Sequence, residues 1–228
     1  MIIPSKIKFP DPSNSDEDGL LAYGGNLLPS TLLEAYANGI FPWFNDDDSP
    51  ILWWSPDPRM VLFPGKLKIS NSLKQVLGKD SFKVSFDKDF EKVISLCSSV
   101  KRKGEAGTWI TGDMKKAYLE LHEQGFAHSV EVHHNSELVG GLYGVSLGGA
   151  FFGESMFHKK PNASKIALVY LVNQLKNWNF DFIDAQLPTK HLESMGGEEI
   201  SRKEFLVLLK KSINKETIIG KWDLSLIA

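Results

Sequence analysis

Cysteine is almost missing from this 228-residue sequence: Cys97 stands alone. A single cysteine excludes an intramolecular disulfide scaffold and a cysteine-rich metal cluster. Its neighbours repeat with helical apolar period, so it is expected as a small buried hydrophobe. No run of about 18 apolar residues occurs, which excludes a spanning helix. Met1 to Pro12 carry Lys6 and Lys8 among short apolar stretches and lack the unbroken apolar core of a signal peptide. A cytoplasmic protein with no membrane partner is the expectation. Neither sign of charge dominates, with 26 basic and 28 acidic residues and a net of −2. That balance speaks against strong nonspecific nucleic-acid binding. Common catalytic signatures are missing too. Gly140, Gly141, Gly144, Gly148 and Gly149 fit neither a P-loop nor GxGxxG. Ser155 lacks the second glycine of a nucleophile elbow. None of the six histidines forms HExxH, and His133 and His134, adjacent on an expected strand, point to opposite faces. No metal site is expected.

What is present begins with an asymmetry. Residues 1–60 hold three basic residues (Lys6, Lys8, Arg59) against nine acidic ones, while the remainder holds 23 against 19. An acidic front therefore precedes a mildly basic body. The front is rich in Pro, Gly and Trp, with turn-dense stretches at Asp11 to Ser15 and Asn45 to Pro50. Between them, Pro29 to Asn38 reads as a helix closed by Gly39. Proline at this density disfavours long helices and central strands. Residues 1–60 are thus expected as a small irregular domain and 61–228 as a second, regular one.

From residue 61 onward the spacing predicts alternating elements. A helix is expected at 70–77, a strand at Phe82 to Phe86, and a helix from Asp87 to Ser98 with Asp87 as its cap. Thr111 opens a further helix that ends at Gly125. His128 to His134 and Glu137 to Leu147 form a hairpin, and Ala150 to Ser155 adds a third strand. A long helix spans Asn162 to Trp178, a short strand Asp181 to Gln186, and two short helices precede the tail. The class is α+β with a mixed, largely antiparallel sheet.

Two short segments carry polar groups in apolar frames. Phe151-Phe152-Gly153-Glu154-Ser155-Met156-Phe157 brings an acid beside bulky side chains. In Phe182-Ile183-Asp184-Ala185-Gln186 an acid and an amide stand two apart, so both side chains are expected on the same face of that strand. Such groups are costly to bury unless hydrogen-bonded, so they either satisfy loop backbone or serve a site. Leu168, Leu171 and Leu175 recur at helical spacing and fit a core. Trp43, Trp53, Trp54 and Trp109 lie outside the periodic stretches; they either stack on a base or hold a small domain together.

In series, Gly24-Gly25-Asn26-Leu27, Gly39 to Phe44, Trp53-Trp54-Ser55-Pro56-Asp57-Pro58-Arg59, Gly107-Thr108-Trp109-Ile110, Gly153 to Phe157, Asn162-Ala163-Ser164-Lys165 and Ile183-Asp184-Ala185-Gln186 resemble the bacterial leucyl/phenylalanyl-tRNA–protein transferases. The resemblance implies a small N-terminal domain and a GNAT-like acyltransferase domain. It implies transfer of Leu or Phe, and less well Met, from Leu-tRNA or Phe-tRNA to proteins with N-terminal Arg or Lys. The product is an N-end rule degradation signal. It implies Asp184 and Gln186 as a catalytic pair and Glu154 as an active-site acid. It implies Trp43 and Trp109 at the terminal adenosine of the tRNA. It implies an aminoacyl pocket of Leu142, Phe151, Met156, Leu168, Leu171, Leu175 and Ile183. Leu142, Leu171 and Leu175 are aliphatic where the family pattern suggests Met or Phe. Ile218 to Trp222 has no anchor in that pattern.

The implied chemistry matches the missing motifs. An aminoacyl ester is already activated, and an α-amine with pKa about 7.7–8.0 is partly neutral at cellular pH. No cofactor is needed. The protein supplies alignment and oxyanion stabilisation. A free aspartate is a weak base, so Asp184 is expected to orient and polarise Gln186 and to attract the amine. The tRNA body is expected on a basic surface of Lys66, Lys68, Lys74, Lys101, Arg102 and Lys103. The alternatives are an acetyl-CoA-dependent N-acetyltransferase and a non-enzymatic RNA-binding module. The first lacks its Gly-rich pyrophosphate loop here, where His158-Lys159-Lys160-Pro161-Asn162-Ala163 stands. The second leaves Asp184 and Gln186 without a task.

Overall fold

The computed structural model describes residues 8–79, 81–100 and 109–223. Near the N-terminus a three-stranded antiparallel sheet has the order β1 (Leu20–Tyr23), β3 (Leu52–Trp54), β2 (Phe41–Pro42). Helix α1 (Pro29–Ala37) lies between β1 and β2 in the chain. Proline opens it, and Gly39 at φ +75° follows its end. A Cβ on Gly39 would also meet Leu206 at 2.8 Å, so only glycine fits this exit.

The main sheet has seven strands in the order β10-β4-β9-β8-β7-β6-β5. Their ranges are β4 Arg59–Leu62, β5 Lys83–Phe86, β6 Ala127–His134, β7 Glu137–Leu147, β8 Ala150–His158, β9 Phe182–Gln186 and β10 Glu198–Ile200. All pairings are antiparallel except β8 with β9. That parallel pair is joined by α5 (Ala163–Asn177), as a parallel connection requires. Gly140 on β7 lets α5 approach: a Cβ there would sit 2.5 Å from the Ala163 Cβ. The α+β class and the mixed sheet are as the spacing predicts.

Each face of the sheet carries its own core. One holds apolar residues of α1, α3 (Phe90–Ser98), α4 (Gly112–Glu123) and α7 (Arg202–Ser212). The other holds α2 (Asn71–Leu77), α5 and Trp222. Ser70 and Thr111 cap α2 and α4 through their side chains. A short helix, α6 (Lys190–Ser194), follows β9.

Three local expectations are corrected. Asp87 does not cap α3, which starts at Phe90 after Asp89. Instead Asp87 is buried at φ +52° and accepts from His128 Nδ1, from Ser129 N and from Trp222 N, each at 2.8 Å. The tail is therefore tied to the body: Trp222 stacks on His128 with centroids 3.7 Å apart. The proline-rich segment at 56–58 leads directly into β4, an interior strand of the large sheet, because Pro58 stands just before its first residue. Finally, β8 runs on to His158, beyond the expected Ser155.

Candidate active site

The parallel pairing of β8 with β9 ends at Phe152 opposite Asp184. Beyond it the strands part. β8 continues beside β7 alone, and Gln186 of β9 pairs with Met60 of β4. A cavity of about 510 Å³ lies at this parting. Gly153 to Met156 form one side, and Ala185 to Thr189, His191 and Leu192 another. Phe41, Pro42, Trp43 and Trp109 also line it.

Both strands bulge at this point. Tyr143 pairs with Ser155 and Gly144 with Gly153, so Glu154 is the extra residue on β8. Likewise Val61 pairs with Asp184 and Met60 with Gln186, which leaves Ala185 extra on β9. Bulges re-aim side chains. Here one turns Glu154 toward α1 and α4, where Tyr36 and Tyr118 are fully buried. Tyr36 Oη donates to Glu154 Oε1 at 2.7 Å and Tyr118 Oη to Oε2 at 2.9 Å. The two hydroxyls also contact each other.

Gln186 completes the group. Its Nε2 donates to Glu154 Oε1 at 2.9 Å, across the gap between the strands. Its backbone N–H donates to Asp184 Oδ1 at 2.9 Å, and its φ is +64°. With Nε2 engaged, the Gln186 amide has its carbonyl Oε1 left to accept a further hydrogen bond. Burial pushes the Glu154 carboxyl up to about 7, against the pull of the Tyr36, Tyr118 and Gln186 hydrogen bonds. Burial, then the nearby Glu154 charge, holds both tyrosine hydroxyls well above the ordinary phenol range.

Asp184 sits elsewhere than the two-residue spacing suggests. It is fully buried and does not line the cavity. Arg59 Nε donates to its Oδ1 at 2.8 Å and Nη2 to its Oδ2 at 2.7 Å. Both of its carboxylate oxygens are thus engaged, and its hydrogen bond to Gln186 is to that residue's backbone N–H. Arg59 is the residue the sequence reading left without a role. Its partner lies 125 positions away, and only its place in the Trp53 to Arg59 segment marked it.

On the other side the walls are hydrocarbon. Leu142, Phe151, Leu168, Leu171 and Ile183 line the cavity while nearly fully buried, and Met156 joins them half-buried. Leu175 does not line it. One turn further along α5 it is wholly inside the second core, because the cavity spans only part of the helix. Trp43 and Trp109 stand at the cavity, and Trp54 steadies Trp43 by donating from Nε1 to its carbonyl at 2.7 Å. Trp53 is buried against Phe9 and donates to Gly24 O, so it belongs to the packing of the N-terminal sheet. Ser155 also faces the cavity, and Cys97 is buried on α3 as expected. Among the described residues no cluster of His, Cys, Asp or Glu could hold a metal, and no helix is long and apolar enough to cross a membrane. Lys66, Lys68 and Lys74 are exposed, and Lys66 pairs with Glu198 at 2.8 Å. Lys101, Arg102 and Lys103 lie outside the described residues.

The profile of the leucyl/phenylalanyl-tRNA protein transferase family matches residues 61–210, and that of its N-terminal domain matches 25–57. A leucyl/phenylalanyl-tRNA–protein transferase of Legionella pneumophila (strain Corby) is 52% identical over 224 residues, covering 98% of this chain and 100% of its own. One from Thermodesulfovibrio yellowstonii is 53% identical over 222 residues, covering 97% and 90%. Among solved structures, a GCN5-related N-acetyltransferase from Kribbella flavida overlaps at TM-score 0.41 with 8% identity, covering 73% of this chain and 58% of its own. L-PGS from Bacillus licheniformis overlaps at TM-score 0.45 with 10% identity, covering 70% and 66%. The chain belongs to the leucyl/phenylalanyl-tRNA–protein transferase family.

Proposed function

We propose that this enzyme moves Leu or Phe, and less well Met, from its tRNA to the α-amine of proteins that begin with Arg or Lys. The product carries an N-end rule degradation signal, and the reaction belongs in the cytoplasm, where charged tRNA is found. The observation that supports this reading is the Gln186 amide at the cavity: its Nε2 is committed to Glu154 and its carbonyl is left to accept. We assign the segment before β4 to a small N-terminal domain that helps wall the cavity, and the chain from β4 onward to a GNAT-like catalytic domain; the boundary falls just ahead of Arg59 and not after residue 60, because Arg59 and Met60 already belong to the large sheet.

In the proposed reaction the aminoacyl side chain enters among Leu142, Phe151, Leu168, Leu171 and Ile183, with Met156 at the rim. Trp43 and Trp109 hold the terminal adenosine, each stacked base being worth about 1–3 kcal/mol. The acceptor amine donates a hydrogen bond to Gln186 Oε1, which aims its lone pair at the ester carbonyl carbon. The C–N bond forms and the carbonyl oxygen becomes an oxyanion. The ester C–O bond then breaks, the amine's surplus proton passing to the departing ribose oxygen. Glu154 touches Gln186 and fixes which way its amide points. Asp184 acts as a positioning residue, not as the base or the attractor of the amine. Alignment of two ready-made reactants is worth up to about 7–11 kcal/mol, and none of these steps calls on a cofactor. An apolar pocket separates side chains that differ by one methylene by only about 1–3 kcal/mol, so exclusion of Ile and Val rests on shape. The tRNA body lies along the basic surface that includes Lys68 and Lys74, and its affinity falls as salt is added.

The test is transfer of labelled leucine from Leu-tRNA to an Arg-initiated peptide. Stoichiometric peptide-linked leucine is expected, with no uptake when the peptide begins with Asp. No transfer together with calorimetric binding of acetyl-CoA would favour the acetyltransferase reading instead.

A further inference from the structure

Arg59 lies 1% exposed and is not part of the cavity wall. Its guanidinium is gripped on three sides. Asp184 takes Nε and Nη2 at 2.8 and 2.7 Å, and the rings of Phe41 and Phe205 lie 4.8 and 4.5 Å from its centre. Two of these contacts lead to the site. Phe41 is itself cavity wall, two residues before Trp43. Asp184 Oδ1 holds the backbone N–H of Gln186, whose positive φ a side-chain-bearing residue adopts only under constraint.

We propose that Arg59 is a positioning residue for the transfer reaction. It fixes Asp184 so that the bulged end of β9 keeps the Gln186 carbonyl aimed at the acceptor amine, and it ties that end to the adenosine-binding wall through Phe41. This rests on the aminoacyl-transfer reading above. A buried ion pair is weak evidence for stability, since a well-packed apolar replacement often folds as well. Its geometry carries the argument. A planar fork engages both carboxylate oxygens at once and leaves the aspartate no rotation. Lysine, a single point donor, cannot reproduce that fork.

Initial rates with varied Leu-tRNA and saturating Arg-initiated peptide separate the outcomes. Arg59→Lys is expected to lower kcat at least tenfold while KM for Leu-tRNA stays within twofold. The neutral pair Arg59→Gln/Asp184→Asn removes both charges together, avoids a lone buried charge, and is expected to lose at least as much. Thermal melts and near-ultraviolet dichroism give the folded fraction, against which kcat is normalised. A normalised kcat within twofold of the natural protein's, in either variant, overturns the inference, as does a loss confined to KM. If the natural protein itself transfers no leucine, the functional reading fails before Arg59 is tested.

Discussion

The two sides of the parting between β8 and β9 are built on opposite rules. On the polar side Glu154, Gln186, Asp184, Arg59, Tyr36 and Tyr118 form one chain of hydrogen bonds, each group fixing the next. On the apolar side Leu142, Phe151, Leu168, Leu171 and Ile183 meet the cavity with hydrocarbon alone. Directional bonds set one geometry and fail all at once. Hydrocarbon walls set a shape and fail by degrees. Reaction geometry should therefore be sharply sensitive to mutation, and side-chain preference only gradually so.

The largest effect expected on the polar side is Gln186→Ala, which removes the carbonyl proposed to aim the amine. Single-turnover transfer should fall by about 10²-fold or more, with acyl-tRNA binding kept. A loss under fivefold would erase the contrast between the two sides. Trp109→Ala comes next. It should raise KM for Leu-tRNA by about 5–150-fold, the equivalent of one stacked base, and leave kcat nearly unchanged. On the apolar side Leu171→Ala should shift the Phe-to-Leu usage ratio by about tenfold in favour of Phe, read by competition between the two charged tRNAs. A collapse of transfer with both would show that the wall is as exacting as the hydrogen-bonded chain.

Acid should sharpen the comparison further. Glu154 titrates at about 7 and must be ionised to accept from both tyrosines and Gln186 together. The acceptor amine must also lose a proton. Below pH 7 the logarithm of kcat/KM should then climb with a slope of about two, falling to about one in Glu154→Gln. Stability moves in the opposite sense. The folded state holds this proton up to about 7 and the unfolded chain only to the ordinary carboxyl value of 4.5, so stability declines as pH rises between them and then levels. Glu154→Gln should accordingly raise Tm at pH 8 relative to the natural protein, with the gain gone by pH 4. A constant Tm difference across that range would contradict the shifted carboxyl.

Periodicity made the regular half of the molecule legible. The hairpin of β6 and β7, the span of α5 and the opening of α4 at Thr111 follow from alternation, helical spacing and a side-chain oxygen ahead of an apolar run. The site was legible only in part, because its key features break period. Two bulges, at Glu154 and Ala185, turn side chains away from where strict alternation puts them, so Asp184 and Gln186 serve different neighbours instead of sharing a face. Leu175 obeys its helical spacing, yet periodicity cannot say where a cavity stops. Arg59 carried no signal, and the expectation of Asp87 as a helix cap failed, for another reason. Their partners lie far along the chain, at Asp184 and at His128 and Trp222, and a long-range hydrogen bond leaves no mark in local spacing.

A crystal structure with a non-hydrolysable 3′-leucylamido-adenosine tests the central claim most directly. The leucyl side chain should lie among Leu142, Phe151, Leu168 and Leu171, its carbonyl carbon beside Gln186 and its adenine against Trp43 and Trp109. An analogue seated elsewhere, such as the groove between Asn26, Asp47 and Glu120, or turned with its carbonyl away from Gln186, would contradict the account.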